Sequence, residues 1–281
     1  MMQSFLRPTS WIAKTAALLA TLCLFSIPLS APAQVVVGVT ITTAPPALPY
    51  YEQPMLVSDG MIWQPGYWAW GPAGYYWVPG TWVLPPSENL YWTPGYWSFD
   101  GVSYVWNNGY WAPSVGYYGG IDYGYGYFGT GFVGGRWNAG VFAYNTAITN
   151  VNRTIVRTIY VDRTVIERRV VTRVSYNGPG GVTRRPTAAE LAVARERHIE
   201  PTAAQIQHAH IASKDRNAYA TINHERPITT AVERPIDRTT ALPHYAPLTK
   251  ADKATAVKAT ADKTPVTTSP RAEETKKPPH A

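Results

Sequence analysis

Trp63-Gln64-Pro65-Gly66-Tyr67-Trp68, Trp77-Val78-Pro79-Gly80-Thr81-Trp82, Trp92-Thr93-Pro94-Gly95-Tyr96-Trp97 and Trp106-Asn107-Asn108-Gly109-Tyr110-Trp111 are four copies of one pattern: tryptophan, two residues, glycine, one residue, tryptophan. Their first tryptophans stand 14, 15 and 14 residues apart, and nine of the chain's 11 tryptophans lie between residues 61 and 112. Such periodicity marks a structural repeat. Turn-forming clusters separate the copies: Ser58-Asp59-Gly60, Gly71-Pro72-Ala73-Gly74, Pro85-Pro86-Ser87-Glu88-Asn89 and Asp100-Gly101. The segments between them are rich in Trp, Tyr and Val, which favour a pleated surface. The fold is therefore expected to be mainly β, an antiparallel meander of about four aromatic-rich strands near 61–70, 75–84, 90–99 and 102–112.

Two tryptophans five positions apart face opposite sides of an ordinary strand. Three arrangements resolve this. The sheet carries aromatics on both faces, or a bulge at the glycine brings each pair to one face, or Pro65-Gly66 forms the centre of a type II turn. The flanking turns favour the bulge, whereas Asn108-Gly109 in the fourth copy is a hairpin signal. The candidate interaction surface is Trp63, Gly66, Trp68, Trp77, Gly80, Trp82, Trp92, Gly95, Trp97, Trp106, Gly109 and Trp111. Its competing role is a core, since large aromatics bury the most area in a thin sheet poor in Leu and Ile. Exposure of one tryptophan set relative to the other decides between them.

Outward from the repeats, residues 1–33 read as a secretory signal peptide: Arg7 and Lys14, an apolar stretch from Ala16 to Ile27, and Ala31-Pro32-Ala33 before Gln34. The apolar stretch is shorter than the about 20 residues of a spanning helix, and no transmembrane span is expected in the mature chain. The only cysteine, Cys23, falls inside the signal, so neither disulfides nor cysteine metal ligands are expected. Residues 34–60 form an extended Pro-rich arm, beginning with the β-prone Val35 to Ile41 and continuing through Ala44-Pro45-Pro46-Ala47-Leu48-Pro49.

The repeat domain is expected over 61–145, its Tyr/Gly-rich extension (113–143) packing over the sheet as a covering layer. Residues 146–225 follow as a basic segment with two short helices. From Thr146 to Val174 β-branched residues interleave with arginines, for which strand is the propensity expectation, with helix left open by the i, i+4 spacing of Ile155 and Ile159. Pro186-Thr187-Ala188-Ala189-Glu190 and Pro201-Thr202-Ala203-Ala204-Gln205 are capping boxes that start helices near 188–198 and 203–213. Residues 226–281 lack apolar periodicity and are expected to be a disordered tail.

The repeat motifs resemble those of the bacterial YXWGXW (WXXGXW) repeat proteins. Tyr76 before Trp77, Tyr91 before Trp92 and Tyr104 before Trp106 supply the tyrosine of the longer form, and the similarity extends through Gly134-Gly135-Arg136-Trp137 and Val174-Ser175-Tyr176-Asn177-Gly178 to the Pro186 and Pro201 helices. The resemblance implies an exported envelope protein of Gram-negative bacteria, periplasmic, outer-membrane-associated or extracellular. It carries over no catalytic residue and no cofactor.

The residues themselves point the same way. Asp59, Glu88 and Asp100 sit in turns, where backbone hydrogen bonding is their ordinary role. No histidine precedes His198, and no acid/base pair is identifiable. His198, His208, His210 and His224 are read as a solvated set rather than a metal cluster. The glycine runs lack a P-loop lysine, and nucleic acid is not an expected partner. Residues 34–150 carry one arginine against five acids, net −4, and residues 151–281 carry 22 Lys and Arg against 13 acids, net +9. The expected role is non-enzymatic: a structural or partner-interaction protein meeting envelope protein, glycan or an anionic surface. The alternative is a glycan-binding module for peptidoglycan or exopolysaccharide through exposed Trp and Tyr.

Overall fold

The computed structural model describes residues 40–167, 171–236 and 245–261. The expected signal peptide and the last twenty residues of the expected tail lie outside them. Each repeat motif is cut in two at its centre, at Pro65-Gly66, Pro79, Pro94-Gly95 and Asn108-Gly109. The strands are β1 (Ile62–Gln64), β2 (Tyr67–Gly71), β3 (Gly74–Val78), β4 (Gly80–Val83), β5 (Tyr91–Thr93), β6 (Tyr96–Phe99), β7 (Tyr104–Asn107) and β8 (Tyr110–Ala112).

Pairing runs β2 with β3 and β1 with β4, then β6 with β7 and β5 with β8, all antiparallel. The mainly β, antiparallel, aromatic-rich architecture is thus as expected. Its four segments form two long hairpins rather than one continuous meander, because no ladder joins the second segment to the third among the described residues. The other edge of β4 is occupied instead by residues 231–232, from far along the chain.

Register decides between the three tryptophan arrangements. Trp63 stands opposite Trp82 and Trp68 opposite Trp77, with the count unbroken from Ile62↔Val83 to Gly71↔Gly74. The second hairpin repeats this, Trp92 opposite Trp111 and Trp97 opposite Trp106. No residue is inserted, so the favoured bulge at the glycine is not formed and the turn reading fails with it. An unbroken register places Trp63 with Trp82 on one face and Trp68 with Trp77 on the other. Both faces bear aromatics.

Both faces are also covered. The extended arm runs along the first hairpin: Trp68 Nε1 donates to Ala47 O at 3.1 Å, Trp82 Nε1 to Pro54 O at 2.9 Å and Tyr75 OH to Thr43 O at 2.8 Å. A proline-rich strand makes no ladder of its own, so its carbonyls are free to accept side-chain donors.

The Tyr/Gly extension holds β9 (Asp122–Gly124), β10 (Tyr127–Phe128), β11 (Gly135–Asn138) and β12 (Val141–Asn145). It forms the expected covering layer: Tyr123 OH donates to Gly95 O at 2.7 Å and Tyr127 OH to Trp92 O at 2.8 Å. One aromatic cluster results, with Trp63, Trp68, Trp77, Trp82, Trp111, Tyr118, Tyr127 and Tyr144 fully buried.

Beyond it come β13 (Ile159–Tyr160), α1 (Thr164–Glu167), β14 (Tyr176–Asn177), α2 (Ala188–Val193), α3 (Ala203–Ala212), α4 (Ala220–Asn223), β15 (Ala231–Val232) and α5 (Lys250–Ala261). Among the described residues between 146 and 174, only Ile159 and Tyr160 are in a strand, pairing with β12, so the propensity expectation largely fails. Val156 reaches the core, whereas Ile155, Val161, Ile166 and Val171 are exposed. β-branched residues separated by arginines have little sheet edge left to join. Both capping boxes form as expected, Thr187 with Glu190 and Thr202 with Gln205.

The tail expectation is corrected at its start. β15 joins β4 in parallel, Ile236 is fully buried, and Lys250–Ala261 is helical. Residues 226–236 earn their order by capping a sheet edge, which local composition does not reveal.

At the broken centre of each motif the paired strands cross within contact distance. A Cβ on Gly66 would strike the Trp77 ring, and one on Gly80 would lie 2.6 Å from Trp63 Cζ2 and 3.0 Å from Gly66 N. Gly95 and Gly109 stand in the same relation to Trp106 and Trp92. Gly66→Ala or Gly109→Ala is therefore expected to destabilise the fold by ~1–3 kcal/mol through overpacking, read as a lower urea midpoint with the m-value unchanged. Unaltered midpoints in both variants would contradict the close crossing.

Candidate functional site

All twelve motif residues singled out from the sequence are brought together in the two hairpins, and nearly all of them face inward. The cross-strand tryptophans meet edge to face or tilted, with ring centroids 5.2 Å apart for Trp63 and Trp82 and 5.3 Å for the other three pairs. This geometry suits the ring quadrupoles. Seven of the eight are buried, and Trp106 is half-buried. The glycines lie beneath tryptophan rings and present nothing to solvent.

Trp106 lies at the seam between the hairpins. Tyr67 of the first motif stacks on it, centroids 5.1 Å apart and planes at 18°. Trp97 Nε1 closes the seam by donating to Trp68 O at 2.7 Å. Helix α3 lies along the opening, and a pocket of about 210 Å³ remains, lined among others by Gln64, Tyr67, Trp92, Trp106, Gln205 and Ile206.

The polar floor of this pocket is ordered. Gln205 Oε1 accepts from Trp111 Nε1 and from Thr202 N, each at 2.8 Å, so its Nε2 must be the donor to Gln64 Oε1 at 2.7 Å. That orientation leaves Nε2 as the donor end of the Gln64 amide. Gln64 is only 2% exposed. Across the ladder, Thr81 is buried and its hydroxyl has no hydrogen-bond partner among the described residues. Burial raises the Tyr67 and Tyr123 phenols above their ordinary range, so both are neutral near pH 7.

A second, wider cleft of about 840 Å³ runs beside the second hairpin, between Tyr96, Tyr110 and Tyr117 and the stretch from Gly178 to His198. Its far wall is held by the Arg184–Glu190 ion pair at 2.8 Å. Glu190 also caps α2, and its carboxyl is lowered although burial alone would raise it, because Arg184 and Thr187 hydrogen-bond to the charged form. His198 stacks on Tyr110 at 3.7 Å.

Asp59 and Asp100 behave as expected in turns, Asp59 accepting from Gly60 N at 2.9 Å and Asp100 from Val102 N and Ser103 N at 2.8 Å. The histidines do not form the expected solvated set. His210 is exposed, while His208, two residues away on the opposite side of α3, is fully buried. Its Nδ1 accepts from Ile236 N and its Nε2 donates to Pro79 O, both at 2.8 Å. Those two bonds define the neutral tautomer.

Sequence reasoning placed Gln205 as a helix cap but missed its tie to Trp111 and Gln64. It did not single out Gln64, Tyr67 or Ile206. Their only local signal was position, Gln64 and Tyr67 being variable sites inside the first motif.

The family model of the WXXGXW repeat matches the chain in two copies, at residues 59–83 and 91–112. Residues 59–112 thus carry the WXXGXW repeat. Each matched copy coincides with one hairpin and contains two of the tryptophan motifs, so the repeating unit is the hairpin with its crossed glycines. No curated protein and no solved structure matches the chain.

Burial pushes the His208 pKa down to about 4 from an ordinary 6.5. A folded-state pKa below the unfolded one means that the unfolded chain binds the proton first. The contribution of His208 is complete above pH 6.5 and is lost progressively as pH falls toward 4, amounting to roughly 3 kcal/mol at most. Urea midpoints measured across this window are expected to fall with acidification in the native chain and to fall less steeply in His208→Gln. Parallel profiles for the two would refute the assignment.

Proposed function

We propose that the protein is an exported, non-enzymatic component of the Gram-negative cell envelope that acts as a structural or partner-interaction scaffold. The observation that carries this reading is the burial of the repeat tryptophans, which makes the WXXGXW hairpins a rigid platform. Around it, Asp59 and Asp100 are committed to turns and Glu190 to a helix cap and an ion pair. No helix among the described residues is long and apolar enough to cross a membrane.

The basic rear supplies the tether. Arg153, Arg157 and Arg163 are exposed on the segment that follows the aromatic cluster, in the part of the chain carrying net +9. Long-range attraction to an anionic envelope surface is the simplest consequence of that charge. Glycan binding through a row of exposed motif tryptophans has little support, because the row is interior.

Export is expected to remove residues 1–33, so mass spectrometry of the protein recovered from a Gram-negative envelope fraction should find Gln34 at the amino terminus. Recovery in the cytosol with residues 1–33 intact would defeat the reading. Sedimentation with phosphatidylglycerol vesicles should show binding at low salt that is lost at high salt. Binding indifferent to salt would refute an electrostatic tether while leaving the scaffold untouched.

A further inference from the structure

We infer that the recess between the two WXXGXW hairpins is a binding site for one neutral pyranose ring. The site is built from both repeats and α3, so it exists only when the two hairpins are docked. Its walls are Tyr67, Trp92 and Trp106, with Pro65 and Pro94 behind them. Rigid aromatic and proline surfaces match the apolar C–H face of a sugar ring, and their side chains have little conformational freedom to lose.

The floor supplies the direction. Gln64 lines the recess, and because its Oε1 accepts from Gln205, itself held by Trp111 and Thr202, its Nε2 is the donor end of the amide. A donor on the wall of an otherwise apolar recess favours a ligand that brings an oxygen. A sugar hydroxyl or an acetamido carbonyl meets this requirement, whereas an aliphatic side chain from a partner protein does not.

Size and charge narrow the class. A recess of about 210 Å³ exceeds the ~150 Å³ that admits a benzene ring and falls below the ~300 Å³ usual for drug-sized ligands, which suits a single six-membered ring. No carboxylate, amine or guanidinium lines it, and Tyr67 and Tyr123 are the sole ionisable groups among the lining residues. A charged saccharide would find no counter-ion. The mouth lies beside Ile206, 59% exposed, and the exposed Asn108, so the ring enters from solvent at the surface of α3.

Saturation-transfer NMR on the full chain, titrated with N-acetylglucosamine and separately with glucose, tests the site. The expected result is saturable transfer to the ring protons of at least one sugar. Ile206→Trp, which obstructs the mouth from an exposed position, should weaken it by roughly tenfold or more, with circular dichroism and thermal midpoint unchanged. Asn108→Trp obstructs the opposite rim and serves if the first variant fails to fold. Trp106→Phe, which keeps a smaller ring, should weaken binding severalfold. Absence of saturable transfer from either sugar, or undiminished binding in a folded mouth variant, would overturn the inference. So would binding of N-acetyl-leucine amide in place of both sugars, which would make the recess a socket for a protein side chain.

Discussion

The close crossing of paired strands at the motif glycines is the constraint on which the rest depends. Gly66 and Gly80 approach so nearly that neither has room for a Cβ, and a tryptophan ring from the facing motif lies over each. Proline at Pro65 and Pro79 removes ladder donors at that point, and the glycine amides turn outward, Gly66 N to Tyr51 OH at 3.2 Å and Gly80 N to Thr230 O at 3.1 Å. The hairpin is therefore fastened at its middle by residues far away in sequence. The spacing of tryptophan and glycine in the motif is the spacing needed to lay a ring from one strand over the backbone of the other.

This arrangement gives a thin element two apolar faces, which cannot stand in water alone. The remainder of the chain covers them. Indole donors go to carbonyls of the arm, of the neighbouring hairpin and of the 226–236 segment, as with Trp77 Nε1 to Thr230 O at 3.0 Å. Sheet edges are covered by foreign chain too: β15 lies on β4, β14 on β6, and Ile199 bridges Trp111. Capped edges offer no template for further strand addition. The helices serve the same end, His208 and Gln205 pinning α3 to Pro79 and to Gln64.

Much of this was legible in the residues. The repeat, the mainly β class, the covering tyrosines, both capping boxes and the turn roles of Asp59 and Asp100 follow from local chemistry, and local chemistry is what short spacings encode. The 146–174 segment was misjudged because β-branched propensity has no outlet when neighbouring edges are already occupied. The beginning of the tail differs from expectation for the converse reason, since Ile236 looks isolated until His208 and the β3 residues Tyr76 and Val78 are beside it. Similarly, His208 and His210 lie two positions apart in sequence, yet one is fully buried and the other exposed.

The sequence by itself determined that four tryptophan–glycine motifs form aromatic antiparallel strands and that helices begin at Thr187 and Thr202. Those outcomes depend on turn propensity, strand propensity and hydrogen bonds within a few residues. Only the tertiary structure decided that the motifs pair as two crossed hairpins, that both faces of each are covered, and that a recess lined by the Gln64 and Gln205 amides lies between them. Each of these is settled by contacts between residues tens to more than a hundred positions apart, to which no local spacing corresponds.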